Sequence, residues 1–153
     1  MALLVTDTSV ILKWYKEEIY SEIAVKIKDK FVEGVHEIVV PDLILYELAN
    51  AMRYDKGFDD DLIKQSIRQL VDLEIDITIP AEGLISESVD YARKYDISIY
   101  DAVYVALANQ LDAMFVTADK KLFDKIKGLG FAKFITDMES DTDTRQEDNN
   151  EGT

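Results

Sequence analysis

Four acidic residues stand where a surface charge has no need to be. Asp7 ends the apolar run Leu3-Leu4-Val5-Thr6, and Asp119 follows closely on a second run, Met114-Phe115-Val116-Thr117. Asp101 falls in the first turn of a stretch with helical patterning, and Glu47 sits among Leu43, Ile44, Leu45, Leu48 and Met52. Taken singly, each has a plain reading. Asp119 can cap a helix, and Asp101, three residues after Ser98, can complete a capping box. Asp7 can be a turn residue, and Glu47 can face solvent on a half-buried helix. Brought to one place, they would repel. Two carboxylates about 4 Å apart cost roughly 4 kcal/mol at an effective dielectric near 20. Four cannot all stay ionised near pH 7 without a cation, so either pKa values rise or a metal binds. An all-oxygen set selects a hard ion, Mg²⁺ or Mn²⁺, over Zn²⁺. Such ions activate water and stabilise the leaving oxyanion of an in-line displacement at phosphorus. Hydrolysis of phosphodiester bonds is the chemistry expected of this set.

The elements that must position these acids alternate along the chain. Residues 3–6, 37–40, 75–79, 114–117 and 131–135 read as strands. Helices are expected from Ser9 to Lys16, over the four-residue repeat Ile19, Ile23, Ile27 and Phe31, and from Pro41 to about Tyr54. Another opens on Asp59-Asp60-Asp61, whose charges suit the positive end of a helix dipole, with Leu62, Ile63, Ile67, Leu70 and Val71 as one apolar stripe. Residues 81–95, 99–111 and 119–127 complete the set. Strands separated by helices of this length call for a mostly parallel sheet covered on both faces. In such a sheet ligands bind outside the carboxyl ends of the strands. Asp7 and Asp119 therefore share one rim.

Composition sets the outer bounds. The chain has 153 residues, 48% of them hydrophobic, enough for one cored domain. No apolar run approaches the roughly 20 residues of a membrane span, and the start MALLVTDTSV lacks the pattern of a signal peptide. Cys is absent and His36 is the single His, so neither a Ser–His–Asp triad nor a Cys–His pair has its usual parts. No phosphate-cradling glycine loop is present. An intracellular, cytoplasmic protein is expected. The net charge is −14, unusual for a protein that binds phosphates. It is uneven: residues 137–153 carry seven acids and one Arg, a net of −6, leaving −8 for residues 1–136. The expected division is a folded domain over 1–136 and an acidic, aperiodic tail over 137–153.

The four acids lie in four motifs: VTDTSVIL, VVPDLILYELANAM, ISIYDAVYVALANQL and MFVTADKKL. In this order and spacing the chain resembles PIN domains, and within them the VapC-like toxin ribonucleases of toxin–antitoxin pairs. The likeness runs from Leu3 to Ile135, and the Y-D-A-x-Y-x-A-L-A stretch is its most specific part. The resemblance implies a three-layer α/β/α sandwich with a central, mostly parallel sheet of four to five strands. It implies that Asp7, Glu47, Asp101 and Asp119 are acidic ligands of Mg²⁺ or Mn²⁺, and that the activity is endonucleolytic cleavage of RNA by activated water. Thr8, Ser9 and Thr117 match small hydroxyl positions that orient ligands or water, and Asp124 is a candidate outer acid. Homodimers are usual in this family, as is silencing by a VapB-like antitoxin whose tail enters the acidic groove. An inserted Arg suits such a cluster.

Lys13, Lys16, Arg53, Lys56, Lys120 and Lys121 are candidates for phosphate contact, against the ordinary role of solvated charges. Trp14 and Tyr15 can stack on bases or pack in the core. Tyr100 and Tyr104 are expected beside Asp101. Three rival functions fit parts of the pattern. One is a housekeeping nuclease of RNA processing, and another a binding module that keeps the fold without activity. The third is a phosphatase with Asp7 as nucleophile, but Ser9 stands where a dehalogenase-type phosphatase wants a second Asp.

Overall fold

The computed structural model describes residues 2–139. Five strands, β1 (Ala2–Thr6), β2 (His36–Pro41), β3 (Asp76–Thr78), β4 (Met114–Thr117) and β5 (Ala132–Phe134), form one sheet in the order β3-β2-β1-β4-β5. Every pairing is parallel; Leu4 is aligned with Ile38 on one side and Met114 on the other. Seven helices connect and cover the strands: α1 (Thr8–Ile11), α2 (Ser21–Val32), α3 (Leu43–Arg53), α4 (Asp60–Asp72), α5 (Glu82–Tyr95), α6 (Ile99–Gln110) and α7 (Lys120–Ile126). This is the expected α/β/α arrangement. From β1 the chain steps outward to β2 and β3, then returns to lay β4 on the other side of β1. The order reverses between β1 and β4, which opens a crevice at their carboxyl ends.

The central strands read as apolar runs because both faces are covered. Leu4, Val5, Ile38, Val40, Phe115 and Val116 are essentially inaccessible. Helix α6 is buried on nearly all sides, Ala102 through Ala108 without a break, as expected of a helix apolar around its circumference. Ala102, Ala106 and Ala108 keep its bulk small where it packs against β1, β2 and β4, and α5 covers it from outside. Among the described residues no helix is long and apolar enough to cross a membrane.

Local boundaries differ from the sequence reading for identifiable reasons. The helix expected over 9–16 is one α-turn followed by a 3-10 turn at Leu12–Trp14. Ile19 does not join the face of α2 and is 70% exposed, because Tyr20 adopts a left-handed conformation and α2 begins only at Ser21. Pro41 ends β2, aligned with Thr78, instead of opening α3. In α4 the buried line is Ser66 and Leu70, while Leu62 and Val71 face outward. Asp59, expected only as a charge at the positive end of the helix dipole, also caps α4, accepting from Leu62 N at 2.8 Å. The packed chain continues past Thr136: Asp137 accepts from Phe134 N, and Met138 joins the core. The rest of the acidic tail, from residue 140, lies outside the described residues.

Candidate active site

The crevice between β1 and β4 is built around Asp7. Its backbone N–H reaches Val116 O at 3.4 Å, which ties the two strand ends together. The side chain is 6% exposed. Oδ1 accepts from Ser9 N at 3.1 Å and from Ser9 Oγ, and Oδ2 accepts from Thr117 Oγ1 at 2.6 Å. Each hydroxyl has a single proton and two lone pairs. Ser9 Oγ in turn accepts from Ala118 N at 2.8 Å, and Thr117 Oγ1 from Asp119 N at 3.0 Å. With those backbone N–H groups as fixed donors, both hydroxyl protons point to Asp7. The network thus presents three donors to a carboxylate that burial disfavours.

The balance falls against the charge. The surroundings as a whole raise the Asp7 carboxyl from 3.8 to about 7, burial being the largest cause. Within that balance the bonds from Ser9 and Thr117 lower it, and the charges of Asp101 and Asp119 add to the rise. Asp101, in the first turn of α6, is also raised, first by its own burial and then by Asp119 and Glu47, against a lowering bond from Ser98. Its N–H is capped by Ser98 Oγ at 3.0 Å. The capping role and the site role coexist, since the cap uses the backbone of Asp101. Asp119 is likewise both: one oxygen caps α7 through Leu122 N at 3.1 Å, while its charge acts on Asp7 and Asp101.

Glu47 is held from α6. Its Oε1 accepts from Tyr104 Oη at 2.7 Å and from Thr8 Oγ1 at 3.2 Å. Burial and the Glu47 charge drive the Tyr104 phenol upward, so it remains protonated and donates. The two hydroxyl positions after Asp7 therefore serve different acids, Ser9 for Asp7 and Thr8 for Glu47. Tyr104, one turn after Asp101, was expected beside that acid and instead positions Glu47. The i, i+3 spacing from Asp101 puts Tyr104 on the same helix face, but its partner Glu47 is set by the packing of α6.

Two grooves open at this centre. One is lined by Ser98, Asp101, Asp119, Lys121 and Lys125, the other by Leu43, Tyr46, Glu47, Asn50 and Tyr100. Lys125 was not among the sequence candidates; it bonds Asp96 O at 2.7 Å. Several candidates lie elsewhere. Lys13 is buried against Glu18, Lys16 pairs with Asp55, and Lys120 pairs with Asp124 at 3.1 Å on the outer surface of α7. Asp124 is thus engaged with Lys120 and takes no bond within the Asp7 network. Trp14 is half-buried and donates to Ala24 O at 2.8 Å.

The donor set suits a hard divalent ion in chemistry and charge. Among the described residues, however, no three acidic or His side chains are already set to ligate one ion. These facts are compatible for Mg²⁺, which keeps several waters and takes one or two carboxylates together with substrate phosphate oxygens.

The family model for the PIN domain matches residues 4–129. The sequence is 28% identical over 130 residues to Ribonuclease VapC3 of Pyrobaculum aerophilum, covering 82% of this chain and 96% of that one. Among solved structures, VapC20 of Mycobacterium tuberculosis, a sarcin–ricin-loop-cleaving toxin, superposes with a TM-score of 0.64 at 13% identity, over 84% of this chain and 95% of the other. A toxin–antitoxin complex from Klebsiella pneumoniae gives 0.65 at 15% identity, over 88% and 98%. The order of the sheet, the acid-lined crevice and the span of the family match lead to one assignment: this chain belongs to the PIN domain family.

Proposed function

We propose that this protein is a divalent-metal-dependent endoribonuclease and the toxin half of a toxin–antitoxin pair, acting in the cytoplasm as a homodimer. The observation that carries the nuclease reading is the strand-end carboxylate Asp7, buried, hydrogen-bonded at both oxygens and still raised to about 7 by its surroundings. A carboxylate so placed is a poor structural anchor and a good partner for a cation. Asp7, Asp101 and Asp119, with Glu47 beside them, are the residues that would hold Mg²⁺ or Mn²⁺. When bound, such an ion supplies a lowered pKa for water and charge neutralisation at the phosphate.

The chain's own residues do the rest. Ser9 and Thr117 fix the orientation of Asp7. Tyr104 and Thr8 occupy Glu47 Oε1, leaving Oε2 to accept a proton from an attacking water. Lys121 and Lys125, on the rim with Asp101 and Asp119, offset the repulsion between an acidic protein and a polyanion. RNA as substrate is supported by the similarity to Ribonuclease VapC3 and to VapC20. A VapB-like antitoxin as partner is supported by the likeness to the Klebsiella pneumoniae complex.

The test is cleavage of single-stranded RNA by the purified chain with Mg²⁺ or Mn²⁺. Cutting should stop in EDTA and in Asp7→Asn and Asp101→Asn. The rival reading is an inactive PIN-fold binding module. Calorimetry decides between them: no heat of Mn²⁺ binding, together with no cleavage, would select the module.

A further inference from the structure

Helices α2, α4 and α5 each carry two or three acids, α6 and α7 carry one each, and α3 carries one, Glu47. Its outer face is Tyr46, Asn50, Arg53 and Tyr54, spaced i, i+4, i+7 and i+8 and all exposed. Tyr46 and Tyr54 are 74% and 76% exposed. The Arg53 guanidinium lies 5.1 Å from the Tyr54 ring centroid. Across the groove that holds Glu47, Tyr100 is 62% exposed and lines the same space as Tyr46 and Asn50.

We propose that this face of α3, with Tyr100 opposite, is the track for unpaired nucleotides adjoining the cleaved phosphate. The proposal rests on the nuclease reading and adds to it where the strand runs. Tyr46 adjoins Glu47 in sequence and Tyr100 adjoins Asp101. A strand whose phosphate reaches those acids through the Glu47 groove must therefore pass between the two rings. From residue 46 to 54 the helix advances about 12 Å, room for about three stacked bases at ~3.4 Å each. Exposed tyrosines stack on bases of any identity. The Asn50 amide offers both a donor and an acceptor to a base edge. Arg53, exposed at the far end of the strip, takes a phosphate. Between Tyr46 and Tyr54 the single carboxylate is Glu47, and Asp55 just beyond is paired with Lys16, which limits repulsion of a polyanion.

The experiment uses the full chain and a fluorescein-labelled ten-nucleotide single-stranded RNA. Binding is read by anisotropy in an Asp101→Asn background, and cleavage kinetics in the active background. Tyr46→Ala and Tyr100→Ala should each weaken binding roughly five- to a hundredfold, with the loss in KM and not in kcat. Tyr46→Phe and Tyr100→Phe should restore it, since the ring does the stacking. Arg53→Ala should flatten the log–log salt dependence by about 0.7. Unchanged affinity in both alanine variants, with metal-dependent cleavage intact, overturns the track and leaves the nuclease reading standing. If the wild-type chain neither binds nor cuts RNA, both fall. A shift in oligomeric state by sedimentation, with RNA affinity unmoved, would make this face a contact between copies and also overturn the track.

Discussion

Replacing Asp7 by Asn should make the metal-free protein more stable at neutral pH while removing its activity. In the folded chain Asp7 titrates near 7, against 3.8 for an unperturbed carboxyl. A group whose folded pKa is raised binds more protons folded than unfolded, so its contribution is fully present below the unfolded pKa and lost as pH rises through the folded one. The window therefore runs from about pH 4 to about pH 7. At 1.36 kcal/mol per pH unit, ionised Asp7 costs about 4 kcal/mol at pH 8. That is a large share of the roughly 5–15 kcal/mol by which domains are stable. Asn removes the charge and keeps the shape; its oxygen can accept from Ser9 N and Oγ, while Thr117 turns its hydroxyl to accept from the amide. The difference in unfolding free energy between Asp7→Asn and wild type should be near zero at pH 4 and grow to about 4 kcal/mol at pH 8. For a chain of this length that is a rise in Tm of about 8–16 °C. Thermal and urea denaturation in EDTA across pH 4–8 measures it. A flat difference across that range, or a variant less stable than wild type at pH 8, would refute the burial argument for Asp7.

Other consequences follow from the positioning groups and the core. Thr117→Val deletes the 2.6 Å bond to Asp7 Oδ2 at almost constant volume; Mn²⁺ affinity, by calorimetry, should fall roughly ten- to a hundredfold. Tyr104→Phe removes the 2.7 Å donor to Glu47, and kcat should drop by a similar factor while the far-ultraviolet circular dichroism spectrum is preserved. Leu48, fully buried on α3 next to Glu47, supports that helix from within. Leu48→Ala should cost about 2–5 kcal/mol in urea denaturation.

What the sequence made legible was whatever strand and helix periodicity alone determines. Asp7 and Asp119 could be placed on one rim because each closes an apolar run, and parallel strands present their carboxyl ends together. Asp101 was readable from Ser98 three residues earlier, and the sheet from the alternation of runs. The allocation of hydroxyls was not legible. That Ser9 serves Asp7 and Thr8 serves Glu47 depends on which way α1 turns at the rim, set by the bond from Ala118 N to Ser9 Oγ. Tyr104 reaches Glu47 across 57 positions, a contact only the packing of α6 against the sheet creates. Ile19 shows the converse failure: its spacing fits the repeat, but the left-handed Tyr20 starts the helix after it. Basic residues were the least readable: Lys13, Lys16 and Lys120 pair with Glu18, Asp55 and Asp124, and none of the three lines the two grooves at the β1–β4 crevice.

The central claim is that the acids gathered at the β1–β4 crevice perform metal-dependent phosphodiester hydrolysis. The most direct measurement is single-turnover cleavage of an end-labelled single-stranded RNA by the purified chain and by Asp101→Asn, each with Mn²⁺ and with EDTA. The account predicts internal cuts only for the wild-type chain with Mn²⁺. Equal cutting by Asp101→Asn, or cutting that persists undiminished in EDTA, would contradict it.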